Sequence, residues 1–145
     1  LVEVSEQITR EKILPARAEL DEKEEFPHEI LKEMAKADLF GLFMEEEYGG
    51  FGGGTFEIVL ALEQFAKGCV GIATSFAANA LGAYPIIISG SKELKAKYLP
   101  QIASGEKYAA FGLTEANAGS DASGIQTTAV LDGDEWVLNG TKQWI

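Results

Sequence analysis

With 145 residues, 46% of them hydrophobic and 24% charged, the chain is long enough to bury a core of its own and falls among globular sequences rather than disordered or fibrous ones. Its formal net charge of −11 is spread along the whole length with no Lys/Arg cluster to follow a phosphate backbone, which makes nucleic acid a poor partner. The single cysteine, Cys69, excludes an internal disulfide framework and a cysteine metal cluster; between Gly68 and Val70 it reads as a small buried residue in a reducing, intracellular compartment.

No run of eighteen apolar residues occurs, so no membrane span is expected, and neither a secretory nor an Arg-rich transit pattern opens the chain. The chain begins without Met and stops at Trp144-Ile145 inside a predicted strand, so both ends are expected to be cuts in a longer protein.

From Val2 to about Leu14, Val4, Ile8 and Ile13 keep helical spacing among charges, and Pro15 is expected to kink or interrupt the helix. A second helix is expected to start near Pro27 and to bury Ile30, Leu31, Met34 and Ala35. The lone His28 has no partner at ligand spacing and reads as a surface residue. Tyr48 to Gly54, Tyr-Gly-Gly-Phe-Gly-Gly-Gly, holds too much glycine for a helix. No Lys-Ser/Thr follows it and no βαβ pattern surrounds it, so it reads as a connector rather than a phosphate loop.

Thr55 is placed to cap a third helix reaching about Lys67, with Phe56, Val59, Leu60 and Phe65 facing a core. Val70 to about Ala83 is apolar nearly all round and rich in Ala and Gly, which predicts a central helix packed on several sides or leaving room for an apolar ligand. Pro85 is expected to end it, Ser91 to cap a short helix through Leu99, and Pro100 to stop that one.

From Tyr108 the period changes to short extended segments between turn pairs. Asp132-Gly133 separates two runs, and Asn139-Gly140 predicts a type I′ hairpin joining Trp136-Val137-Leu138 to Thr141–Ile145, with Trp136 a packing residue. The chain is therefore mainly α with a C-terminal β portion: an all-helical N-terminal domain over 1–106, then the first antiparallel strands of a β domain over 107–145.

The segment with chemical content runs from Phe111 to Gly124. An apolar strand leads into a loop of small residues that frees backbone N–H groups, and Thr114 and Ser120 add hydroxyls, a set suited to a polar anionic cofactor segment such as a pyrophosphate. The same residue types serve an ordinary strand-to-strand loop, and composition leaves both readings open.

The order Gly-Leu-Thr-Glu, two residues, Ala-Gly-Ser-Asp, two residues, Gly resembles the signature of the acyl-CoA dehydrogenase family, with Ala116 where Pro is frequent. Glu45–Gly50, Gly90–Glu93, Tyr98–Pro100 and Val137–Ile145 extend the resemblance over nearly the whole chain. It implies a three-part subunit of helical, β-barrel-like and helical domains, of which this chain has the first and the start of the second. It implies that Phe111, Leu113, Thr114, Gly119, Ser120, Trp144 and Ile145 contact FAD, with Leu113 and Thr114 beside the flavin ring and Ser120 near both pyrophosphate and substrate. The role of Glu115 stays open between orienting the loop and touching substrate. Metal ligands are not implied.

The implied reaction is α,β-dehydrogenation of an acyl-CoA thioester, with the α proton taken by a glutamate outside this chain, so that no catalytic residue is nominated here. An electron-transfer flavoprotein is the implied electron acceptor, a homotetramer the implied assembly, and the bacterial cytoplasm or mitochondrial matrix the implied location. An acyl-CoA oxidase-like flavoprotein and a non-catalytic helical interaction module are the alternatives.

Overall fold

The structure, a computed structural model describing residues 1–145, divides the chain into two units, Leu1–Ala110 and Phe111–Ile145.

In the first unit α1 (Val2–Ile8), a π-helical stretch (Thr9–Ile13) and α2 (Leu14–Lys23) follow one another without a break. Pro15 thus does not interrupt the run as expected. It lies at the start of α2, directly after the π stretch, whose wider winding absorbs the missing N–H and the ring clash that proline brings to a helix interior. Arg17 donates to the Gly68 carbonyl at 2.6 Å, tying α2 to the C-terminus of α4 (Thr55–Gly68).

In α3 (His28–Lys36) the buried face is Ile30, Leu31 and Met34, as the periodicity predicts; Pro27 is its N-cap rather than its first residue, and His28 is exposed. The glycine-rich loop folds back on residues 41–45: Phe51 N–H donates to Gly41 O at 2.9 Å and Gly52 N–H to Met44 O at 2.7 Å. Its amides serve the chain itself, in keeping with a connector.

Two expectations for the next helices change. Gly54, not Thr55, is the N-cap of α4, and the Glu57 carboxylate accepts the Gly54 N–H at 2.7 Å. The buried face of α4 is Ile58, Ala61 and Phe65, while Phe56 and Val59 are 69% and 51% exposed. Both faces have helical spacing, so periodicity alone could not choose between them.

Helix α5 (Val70–Ser89) has no charged residue and a mean hydropathy of 1.4, which makes it long and apolar enough to cross a bilayer by length and composition. It is packed on one face rather than on several: Ile72, Ala73, Phe76, Asn79, Ala80 and Ala83 are buried, and Val70, Leu81 and Ile88 are exposed. Pro85 lies inside α5 and Pro100 inside α6 (Lys92–Ala103), so neither ends its helix. The carbonyls they leave without a helical donor belong to Leu81 and Ala96, both exposed residues, where water can substitute. Ser91 caps α6 as predicted, its Oγ accepting the Leu94 N–H at 3.3 Å.

These helices enclose one core. The Phe76 ring stacks on Phe40 at 5.6 Å and meets Phe65 edge-on at 5.2 Å, all three essentially without exposure. Each such side chain contributes about 2–3 kcal/mol by leaving water. Asn79 is buried beside them and accepts the Ala109 N–H on Oδ1 at 2.7 Å. Cys69 packs half-buried against the core rim.

In the second unit β1 (Thr128–Asp132) and β2 (Glu135–Asn139) form an antiparallel pair, with Thr128 opposite Asn139 and Asp132 opposite Glu135. The turn is Gly133-Asp134, Gly133 supplying a φ of 66°. The hairpin predicted at Asn139-Gly140 does not form: Asn139 closes β2, and Thr141–Ile145 is not a strand. Gly140 is there for proximity instead, since a Cβ on it would lie 2.1 Å from Thr127 Oγ1. Trp136 stands opposite Leu131 and is 65% exposed.

Candidate functional site

The second unit brings together two segments that are far apart in sequence, Phe111–Ser120 and Thr141–Ile145. Gln143 N–H donates to Thr114 O at 2.8 Å, and Lys142 Nζ donates to Leu113 O at 3.0 Å. A Cβ added to Gly112 would lie 3.7 Å from Ile145 Cγ1, so the Ile145 side chain runs close by. The candidates Phe111, Leu113, Thr114, Trp144 and Ile145 therefore lie on adjoining stretches of one small unit, but the apolar strand expected ahead of the loop does not form, since no strand ladder pairs these residues.

Beyond Thr114 the loop turns on itself. Glu115 and Ala118 exchange backbone N–H···O bonds at 3.1 Å each, and Ala118 is buried beneath the turn. Asp121 then accepts the Ser123 N–H at 3.1 Å and the Ser123 hydroxyl, starting a short 3₁₀ turn, Ala122–Gly124. Between these two turns Gly119 and Ser120 are exposed, with open space around Gly119 and no partner within the chain for the Ser120 hydroxyl.

Glu115 is the buried carboxylate of this unit, 8% exposed. Its Oε2 accepts the Gln126 N–H at 2.7 Å; its Oε1 accepts the Thr127 N–H at 3.1 Å, the Thr127 hydroxyl, and Lys142 Nζ at 2.9 Å. The Thr127 hydroxyl first, then the Lys142 ammonium and the Gln126 amide, hold the carboxyl down from the ordinary 4.5 to about 2, against the opposing effect of burial. With three donors on Oε1 and one on Oε2, this carboxylate is committed to groups of the chain itself. Of the two roles open to Glu115, orienting the loop is the one its geometry fills.

Trp144 is 91% exposed with a φ of 61°, the left-handed region that a bulky side chain rarely enters, and Ile145 is 74% exposed. Phe111 and Leu113 are each 37% exposed. The unit thus presents both large apolar side chains and exposed hydroxyl and amide donors.

Sequence reasoning passed over Lys142 and Thr127 as individual residues. A signal for Lys142 was available: it is the one Lys or Arg between Phe111 and Ile145, and a glutamate enclosed by small residues needs a cation. Thr127 carried no signal, because its contact with Glu115 depends on where the chain returns.

Comparison with known proteins identifies the family. The acyl-CoA dehydrogenase N-terminal domain matches residues 1–106 and the acyl-CoA dehydrogenase middle domain matches residues 110–145. The chain belongs to the acyl-CoA dehydrogenase family. A probable acyl-CoA dehydrogenase of Bacillus subtilis, YngJ, is 43% identical over 144 residues, 99% of this chain and 38% of that protein. The CarC subunit of the caffeyl-CoA reductase-Etf complex of Acetobacterium woodii is 44% identical over 129 residues, 88% of this chain and 34% of that protein. The structure of an acyl-CoA dehydrogenase complexed with FAD from Bacillus anthracis superposes with a TM-score of 0.90 at 39% identity, covering 99% of this chain and 25% of that one. The chain spans well under half the length of the curated relatives it matches.

Proposed function

We propose that the full-length protein carrying this chain is an FAD-dependent acyl-CoA dehydrogenase, and that Phe111–Ser120 with Trp144 and Ile145 supply part of its FAD site. The observation that carries this reading is the union of the signature segment with Thr141–Ile145 through the Gln143–Thr114 and Lys142–Leu113 hydrogen bonds. In this reading residues 1–106 are the helical N-terminal domain and 107–145 the beginning of the middle β domain.

The donor set fits such a cofactor. Phe111, Leu113, Trp144 and Ile145 offer apolar surface for a flat ring system, and Gly119 and Ser120 offer an unhindered amide stretch and a free hydroxyl for an anionic phosphate group. When bound, FAD supplies a two-electron acceptor for the hydrogen that leaves the acyl β-carbon as hydride. The chain's own residues would bind and orient: Leu113 and Thr114 would border the ring, and Ser120 would serve phosphate and substrate. The α proton passes to a carboxylate outside this chain. Glu115 is unfit for that task, because a base held near 2 with its oxygens occupied has little proton affinity near neutral pH. Ser120 as a substrate contact, an electron-transfer flavoprotein as electron acceptor and a homotetrameric assembly complete the proposal.

Anaerobic addition of a panel of saturated acyl-CoA thioesters to the full-length protein tests it. Bleaching of a visible flavin spectrum by one chain length shows that this thioester reduces the flavin and names the substrate; slow reoxidation when oxygen is then admitted marks the dehydrogenase, and rapid reoxidation the oxidase-like relative. A flavin that no thioester bleaches favours other flavoproteins of the superfamily, and a protein without flavin points to a non-catalytic helical module.

A further inference from the structure

Glu115 lies in the first segment of the proposed flavin surface, and its carboxylate meets donors from two other stretches of the chain, Gln126–Thr127 and Lys142 of the second segment. Lys142, which bonds Glu115, also bonds Leu113 O, and the next residue, Gln143, bonds Thr114 O. On the other side Gln126 and Thr127 lead directly into β1. We propose that Glu115 is a positioning residue for the cofactor site: through Lys142 and Thr127 it locks residues 111–114, residues 141–145 and the start of β1 into one frame, and so sets where Leu113, Thr114, Trp144 and Ile145 stand against the flavin. The inference rests on the FAD reading above.

The chemistry calls for a carboxylate. Every group aimed at Glu115 is a donor: the Gln126 amide at Oε2, and the Thr127 amide, the Thr127 hydroxyl and the Lys142 ammonium at Oε1. Glutamine would put an NH₂ against one of these donor sets in either orientation, leaving a donor facing a donor. Aspartate would fall one methylene short. Lys142 is the only Lys or Arg in Phe111–Ile145. Glu115 itself is not a contact of the cofactor, since it is buried and turned toward the Gln126, Thr127 and Lys142 donors; it acts through the backbone carbonyls of Leu113 and Thr114 and the course of 141–145.

The test compares the full-length protein with Glu115→Gln, Lys142→Met and Lys142→Arg by titrating FAD into apoprotein, recording the spectrum of the bound flavin, and measuring thermal unfolding without FAD. The expected result is FAD binding weakened by about tenfold or more in Glu115→Gln and Lys142→Met, the size met when a group orienting a ligand contact is lost. A displaced flavin absorption band should accompany it, with substantial recovery in Lys142→Arg. Wild-type-like FAD affinity and spectrum in Glu115→Gln and Lys142→Met would overturn the inference even if both melt earlier, because a purely structural clamp lowers stability without touching the flavin. Should Glu115→Gln not fold, Lys142→Met and Thr127→Val decide by the same readouts. A wild-type protein that takes up no FAD overturns the flavin reading itself and this inference with it, a result distinct from tight FAD binding in every variant.

Discussion

Gln143 donates its backbone N–H to the carbonyl of Thr114 at 2.8 Å, across 29 residues of sequence. The bond sets residues 141–145 beside the signature segment and makes neighbours of groups that the sequence holds in two separate motifs. Lys142, one residue earlier, adds a bond to Leu113 O and an ion pair to Glu115. The union rests on a few bonds rather than a strand ladder, so single substitutions should expose it.

Acid should release it in a defined window. Glu115 has its carboxyl held at about 2 in the folded chain against 4.5 ordinarily, chiefly by the Thr127 hydroxyl and then by Lys142. A depressed carboxyl contributes stability that is fully present above about 4.5 and is lost as pH falls toward 2. The stability advantage of the full-length wild type over Glu115→Gln, followed by denaturant unfolding, should be constant near neutrality and shrink below about pH 4.5. An advantage independent of pH down to 2 would contradict the role given to the charge.

Gly140→Ala should separate the strand end from Thr127. The new Cβ would lie 2.1 Å from Thr127 Oγ1 and 2.8 Å from Thr127 Cα, and because backbone is involved a side-chain rotation cannot relieve it. A loss of about 1–3 kcal/mol is expected, the usual cost of overpacking. A melting temperature equal to wild type would show that the two segments part freely.

Phe76→Ala should be among the most damaging changes in the helical unit. Its ring lies between Phe40 at 5.6 Å and Phe65 at 5.2 Å with 1% exposure. The expected cost is about 3–5 kcal/mol, and Phe76→Leu should lose clearly less. Equal losses from the two substitutions would mean that the ring contacts, rather than filled volume, carry the energy.

Two polar anchors in the same unit can be graded against each other. Ser91→Ala removes the N-cap bond to Leu94 at an exposed helix start and should cost about 1 kcal/mol. Asn79→Ala strips the Ala109 N–H of its acceptor at a buried position, and the desolvated amide should raise the cost to about 1–3 kcal/mol. Denaturant midpoints in the reverse order would show that water reaches Ala109.

Local rules were legible wherever one residue's chemistry decides. Ser91 caps because its oxygen serves an amide three residues on, and Ile30, Leu31 and Met34 lie on one face because only one face of α3 is apolar. The succession of helices and then strands, the family and the Thr114-to-Gly124 motif were likewise present in the order of residues, since composition, period and motif survive without coordinates. Tertiary structure decided what depends on a neighbour. It buried Ile58 and Ala61 instead of Phe56 and Val59, two stripes with similar helical spacing. It carried the helices through Pro85 and Pro100, where exposed carbonyls tolerate a lost donor, and it turned Asn139-Gly140 from a hairpin signal into a close pass over Thr127. It also assigned Glu115: sequence shows a glutamate in a loop, whereas only the return of Thr127 and Lys142 to that loop surrounds it with donors. A side chain's partners, unlike its propensity, are set by segments that meet only after the chain has folded.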